Sequence, residues 1–191
     1  MAGFTAVGLF LVSLFFGFVI FILWLRIALR YLRISAINPL SRLSHSISDP
    51  IIQPINHLFQ LKYQPGQKYD WIAFIVLVFI EIIKIISLCF LMYHVMIPFT
   101  YLLLFVAADL IIQPCDFLFY AILIRVIMSY VNPGWQNPIA DFLRMLTQPL
   151  LILGRKIVPD ISGFDFSPFI IMIILKIITL FITASLPLRL I

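Results

Sequence analysis

Residues 38–50 read NPLSRLSHSISDP and residues 137–149 read NPIADFLRMLTQP. Both open on Asn-Pro, carry an apolar stripe and an arginine, and reach a second proline, so one element is written twice at an offset of 99. Asn is a favoured N-cap, because its side-chain oxygen accepts from a helix N–H that has no partner. Proline at the first helical position loses nothing, since its missing N–H had no acceptor there. Asn38-Pro39 and Asn137-Pro138 are therefore expected to be structural caps. Ile139, Phe142, Leu143, Leu146 and Leu150 then share one helical face, and Asp141, Arg144 and Gln148 another. The expectation is an amphipathic helix of about ten residues, roughly 15 Å long, too short to cross a bilayer and suited to its interface. The second proline would kink that helix or start another, giving interfacial segments over about 38–60 and 137–158. The alternative is a re-entrant element, which needs protein or water around any irregular backbone at depth.

Around these two elements lies almost continuous hydrocarbon. Hydrophobic residues make up 63% of the 191 and charged residues 11%, against about 45–50% and about 25% in a soluble domain. The apolar blocks do not alternate, so they imply membrane-spanning helices rather than a barrel. With about 20 apolar residues needed per crossing, four spans are expected, over about 4–25, 71–95, 102–130 and 168–188. The first 25 residues carry no charge and lack the basic start of a cleavable signal, so they are expected to be kept as the first span. Residues 71–131 fit a hairpin of two long helices turning near Ile97-Pro98. Ser167-Pro168 reads as cap and first residue of the last span.

Lysines and arginines set the orientation. Arg26, Arg30, Arg33, Arg42, Lys62 and Lys68 lie between spans one and two; Arg125, Arg144, Arg155 and Lys156 lie between spans three and four. Only Arg189 stands at the other ends, a vote of ten to one. Both long loops are thus expected in the cytoplasm and both termini outside. The net charge of +5 fits topology and anionic lipid headgroups. Nucleic acid is not expected, for no basic run or basic-aromatic platform exists.

More positions match between the halves. Arg26 meets Arg125, Tyr31 meets Tyr130, and Pro50 meets Pro149 at the offset of 99; after a small length change Asp70 meets Asp165 at 95. The expected architecture is all-α, with four transmembrane helices in two tandem parallel repeats, 1–97 and 98–191. Each repeat would carry one cytoplasmic-side amphipathic helix after its Asn-Pro cap.

The charged residues at membrane depth are the candidate functional ones, since an isolated charge there costs about 2.5–3.5 kcal/mol on insertion scales. Glu81 and Lys84 are three apart on one face, and the alignment places Lys176 at the position of Glu81. Glu81 is expected to pair with Lys84, Lys176 or both. That gives either a structural clasp or part of an ion or proton path. Asp109 and Asp116 share a face two turns apart, with Pro114 between them freeing the carbonyl of residue 110, a candidate contact for a cation or water. Arg26, Arg125, Arg144, Arg155 and Lys156 are expected to meet lipid or a partner at the interface. Cys89 and Cys115 lack ligand spacing, as do His45, His57 and His94, so no metal, cofactor or catalytic residue is expected.

An arginine ending a span, an Asn-Pro helix reaching a proline, then Gln148-Pro149-Leu150-Leu151, Arg155-Lys156, Pro159, Gly163 and Asp165-Phe166-Ser167-Pro168 together resemble the YggT/YlmG family. The resemblance covers the whole chain as two copies. The chain departs from the family pattern at Leu153, where a second proline is usual, and at Asn56-His57, where the first copy lacks the basic pair. The resemblance implies a small multi-pass protein of the bacterial cytoplasmic membrane, linked to osmotic tolerance, potassium uptake, and envelope or membrane-complex organisation, with no reaction. Two functions stay open: a non-enzymatic accessory or scaffold that meets anionic lipid, a membrane-protein partner or a second copy of itself, and an ion channel or transporter component.

Overall fold

A computed structural model describes residues 2–35, 37–59, 69–132, 134, 137–158 and 165–187. The expected loop charges Lys62 and Lys68, together with Pro159, Gly163 and Arg189, lie outside the described residues. Among the described residues six helices follow in order: α1 (Ala2–Tyr31), α2 (Pro39–Phe59), α3 (Trp71–Tyr93), α4 (Phe99–Val131), α5 (Pro138–Ile157) and α6 (Ser167–Ser185). Four of them, α1, α3, α4 and α6, are long and apolar enough to cross a membrane.

The helix ends correct the expected spans. α1 runs six residues beyond the expected end at 25, and α4 begins at Phe99 rather than 102. α3 and α6 stop at Tyr93 and Ser185, short of the expected 95 and 188. For α1, hydropathy marks where the apolar run ends, before Arg26, whereas backbone hydrogen bonding carries the helix on to Tyr31. The turn stands where Ile97-Pro98 indicated: His94 closes α3 in a left-handed conformation, φ 53°, with its N–H on the Phe90 carbonyl at 3.0 Å.

α1 packs along α3, and α4 along α6. α2 lies against α1 and α3, α5 against α4 and α6, and the two sets join through α3–α4 with smaller contacts of α1 on α4 and α2 on α5. One core holds Val19, Ile20 and Leu23 of α1, Ile52 of α2, and Ala73, Val76 and Leu77 of α3. Its counterpart holds Ile122, Leu151, Ile171 and Leu175. A third cluster, Leu25, Leu29, Ala121, Phe142 and Leu143, joins the two sets. Large apolar side chains such as Phe15, Phe79, Leu104, Ile173 and Phe181 cover the outside of the long helices, which is the surface a lipid environment requires.

The amphipathic helices, 21 and 20 residues long, fill the expected segments 38–60 and 137–158 and run on through Pro50, Pro54 and Pro149 instead of closing after about ten residues. Each proline removes one bond to the carbonyl four residues back. All three are on the exposed face, as are Ser46 and Met145, whose carbonyls Pro50 and Pro149 release. Those carbonyls can be solvated, so the helix continues. The buried stripe of α5 is Ala140, Phe142, Leu143, Thr147, Leu151 and Gly154. Ile139, expected on that stripe, is exposed.

Caps start these helices. Asn137 Oδ1 accepts from the Ala140 N–H at 2.6 Å, and Asn38 Oδ1 from the Leu40 N–H at 2.9 Å. Pro138 and Pro39 are the first helical residues. Asp70 caps α3, accepting from the Ala73 N–H at 3.1 Å. Ser167 does not cap α6: it lies within the helix, and Asp165 Oδ1 accepts its N–H at 2.9 Å. α5 meets α6 at Gly154, where a Cβ would stand 3.0 Å from both Ser167 Cβ and Ile171 Cγ1.

Candidate functional site

Among the described residues, charged side chains gather at membrane depth and at two places where the amphipathic helices meet the long ones. The first group centres on α3. Glu81 and Lys84 form an i,i+3 ion pair, and Lys84 Nζ also reaches Asp109 Oδ2 of α4 at 2.6 Å. Gln113 Nε2 donates to Glu81 Oε2 at 2.8 Å, and Trp24 Nε1 of α1 donates to Gln113 Oε1 at 3.0 Å. Glu81 and Asp109 are fully buried. The chain Trp24–Gln113–Glu81–Lys84–Asp109 ties three long helices together in hydrocarbon, where an unmet polar group is costly.

Of the expected partners of Glu81, which were Lys84, Lys176 or both, the structure brings Lys84 to it and not Lys176. Lys176 Nζ lies 3.6 Å from Asp116 Oδ1 and 5.8 Å above the Phe119 ring, on a half-exposed surface. Asp109 and Asp116 consequently answer different lysines and do not form one carboxylate pair. Helical periodicity gives the face of a residue, but not how neighbouring helices are rotated. Gln113 was missed altogether, although it stands four residues from Asp109 and hence on the same face. Among the described residues, no three His, Cys, Asp or Glu side chains gather to hold a metal ion. A cleft of about 480 Å³ opens beside the cluster between α1, α3 and α4, lined in part by Gly17, Trp24, Lys84, Gln113, Asp116 and Tyr120.

The second group corrects the reading of Arg26 as a lipid contact, for it is buried. Its guanidinium donates to Asp70 Oδ2 at 3.1 Å, Ser48 Oγ at 2.6 Å and Asp49 Oδ1 at 2.5 Å. Arg30 adds a longer bond to Asp70 at 3.4 Å. Ser48 Oγ donates back to the Ser44 carbonyl at 2.7 Å. This clasp fixes α2 on the ends of α1 and α3.

The third group involves Arg125, Arg144 and Arg155. Arg125 donates to Thr147 Oγ1 at 2.7 Å, Gln148 Oε1 at 3.0 Å and the Arg144 carbonyl at 3.4 Å. Thr147 Oγ1 donates back to the Leu143 carbonyl at 2.6 Å. Arg155 donates to Asp165 Oδ2 from Nη2 at 2.6 Å and from Nε at 3.1 Å. Burial works to raise the Asp165 carboxyl, but hydrogen bonds from Arg155 and Ser167 outweigh it and hold the group below the usual carboxylate value. Arg144 lies 3.9 Å from Asp141, and Lys156 is exposed at the end of α5.

Comparison with known proteins places these features in context. Residues 102–186 match the family model described as CCB3/YggT. An uncharacterised protein of Pseudomonas aeruginosa is 38% identical over 68 residues, 36% of this chain and 34% of that protein, so the matched stretch spans about a third of that relative. An uncharacterised Haemophilus influenzae protein is 29% identical over 85% of this chain and 86% of its own length. The uncharacterised protein YggT of Escherichia coli K12 is 28% identical over 90% of this chain and 86% of its own length. No solved structure matches.

Proposed function

The chain belongs to the CCB3/YggT family of multi-pass membrane proteins, and from that premise we propose that it is a non-enzymatic accessory or scaffold protein of the bacterial cytoplasmic membrane. Its two amphipathic helices lie in the inner leaflet and offer a basic surface, Arg144, Arg155 and Lys156, to anionic lipid or a membrane partner. Family links to osmotic tolerance and envelope organisation would then run through assembly rather than through ion passage.

One observation carries this reading: the charges buried at membrane depth answer one another. Lys84 is taken up by Glu81 and Asp109, and Gln113 and Trp24 complete the set. A conducting path needs polar groups that exchange partners with a passing ion. These are committed to holding α1, α3 and α4 together.

The tandem arrangement belongs to the same proposal. Arg26 reaches Ser48 and Asp49, and Arg125 reaches Thr147 and Gln148, each pair related by the offset of 99. Asp70 and Asp165 each accept an N–H where a spanning helix begins. The connectivity sends α2 and α5 to one end of the bundle and the 94–98 turn to the other, which the positive-inside rule makes the cytoplasmic and outer faces.

Reconstituted protein in potassium-loaded liposomes tests the choice. The scaffold reading expects leak equal to protein-free liposomes, for the native chain and for Glu81→Gln alike. Potassium flux that Glu81→Gln abolishes would establish the channel reading instead.

A further inference from the structure

The same arginine position is solved in two ways. In the first half Arg26 is buried and answered by two carboxylates, Asp49 and Asp70. In the second half Gln148 stands where Asp49 would be, and Asp165, the counterpart of Asp70, is engaged by Arg155. Among the described residues Arg125 therefore has only neutral hydrogen-bond acceptors, with no carboxylate within ion-pair distance. The surroundings diverge in the same direction. Arg144 replaces His45, and Arg155-Lys156 replaces Asn56-His57.

Arg125 and Arg155 line one groove of about 330 Å³ between α4, α5 and α6, with Ser129, Tyr130, Asp165 and Phe169. Its walls are apolar at Val126, Leu151 and Pro168, and Phe169 is half-exposed beside it. A guanidinium bonded to neutral groups, a second arginine and the Ser129 hydroxyl in the same lining suit a phosphate oxygen cluster. An apolar wall continuing along membrane-spanning helices suits a chain attached to that phosphate.

We propose that the groove between Arg125 and Arg155 binds the phosphate of an anionic phospholipid, with an acyl chain lying along Val126 and Phe169. In the first half the equivalent arginine, Arg26, is already neutralised by Asp49 and Asp70. The proposal rests on the reading of a basic surface facing anionic lipid and narrows it to one groove in one half of the molecule.

The test is native mass spectrometry of the full chain released from micelles of equal phosphatidylglycerol and phosphatidylcholine. The native chain is expected to retain phosphatidylglycerol preferentially. Gln148→Asp, which installs at an exposed position the acid of the first half, should lower that retention roughly fivefold, about one surface charge's worth. Arg125→Gln should do the same, and Asp165→Asn, which releases Arg155, should raise retention. Arg42→Gln, an exposed arginine of the first half, should change nothing. Should Arg125→Gln prove unstable, Gln148→Asp and Asp165→Asn still decide, since their predicted effects are opposite. Equal losses for Arg42→Gln, Lys156→Gln and Arg125→Gln would overturn the groove while leaving the general basic surface standing. No preference for phosphatidylglycerol in the native chain would overturn both. Displacement of the lipid by millimolar inorganic phosphate would show a free-phosphate site and overturn the lipid assignment.

Discussion

Arg26 and Asp70, 44 residues apart in sequence, meet through Nε and Oδ2 at 3.1 Å with both side chains shut away from solvent. Asp70 meanwhile caps α3 with its other oxygen. One carboxylate thus sets the end of α1 against the start of α3, and the arginine it holds secures α2 through Ser48 and Asp49.

Removing one side of such a pair leaves the other charge buried without compensation. Arg26→Ala is expected to destabilise the protein by about 3–5 kcal/mol. Arg125→Ala, which removes hydrogen bonds to neutral groups at a part-exposed site, should fall at or below about 1.5–3 kcal/mol. Thermal unfolding in detergent, run side by side, checks the order; equal losses would contradict it.

The cluster at membrane depth makes a similar prediction. Lys84→Met leaves Glu81 and Asp109 buried without their shared cation and should cost about 3–5 kcal/mol. Adding Asp109→Asn should restore part of the loss, so the double variant should be more stable than Lys84→Met alone. Trp24→Phe deletes one hydrogen bond to Gln113 and should cost only about 0.5–1.5 kcal/mol. Chemical denaturation in mixed micelles measures all three.

Much of this was legible beforehand, for definite reasons. Continuous apolar runs mark spans because each backbone bond must be met within the segment, and Asn137-Pro138 marks a helix start because capping is local chemistry. The pairing of Lys176 with Asp116, and the burial of Arg26, depend on the rotation of one helix against another, which no single helix encodes. Ser48 and Thr147 carried a usable signal: two hydroxyls at the offset of 99, each beside the polar partner of an arginine. Pro149 left open whether one helix continues or a second begins, because that depends on whether the carbonyl it releases can be solvated.

Close approach at Gly154 gives a packing prediction. A methyl group there would press on Ser167 and Ile171 from 3.0 Å. Gly154→Ala should therefore destabilise by about 1–3 kcal/mol despite its better helix propensity. An unchanged or raised melting temperature would show that α5 and α6 separate freely.

Asp165 gives a prediction in pH. A carboxylate held below its ordinary value, about 3.9, adds stability that is present above that value and vanishes as pH falls through the lowered value in the folded protein. The native chain should accordingly exceed Asp165→Asn in melting temperature near pH 6, and the gap should close only below about pH 4. A gap that widens on acidification would contradict the ion pair with Arg155.

The central claim is that both amphipathic helices lie on the cytoplasmic side with the 94–98 turn outside, and single-cysteine labelling tests it most directly. In a Cys89→Ala, Cys115→Ala background, Gln53→Cys, Lys156→Cys and Met96→Cys place reporters at exposed positions on α2, on α5 and in the turn. With a membrane-impermeant maleimide, the first two should react only in inside-out vesicles and the third only in right-side-out vesicles. Reaction of Gln53→Cys and Lys156→Cys from opposite sides of the membrane would contradict the account.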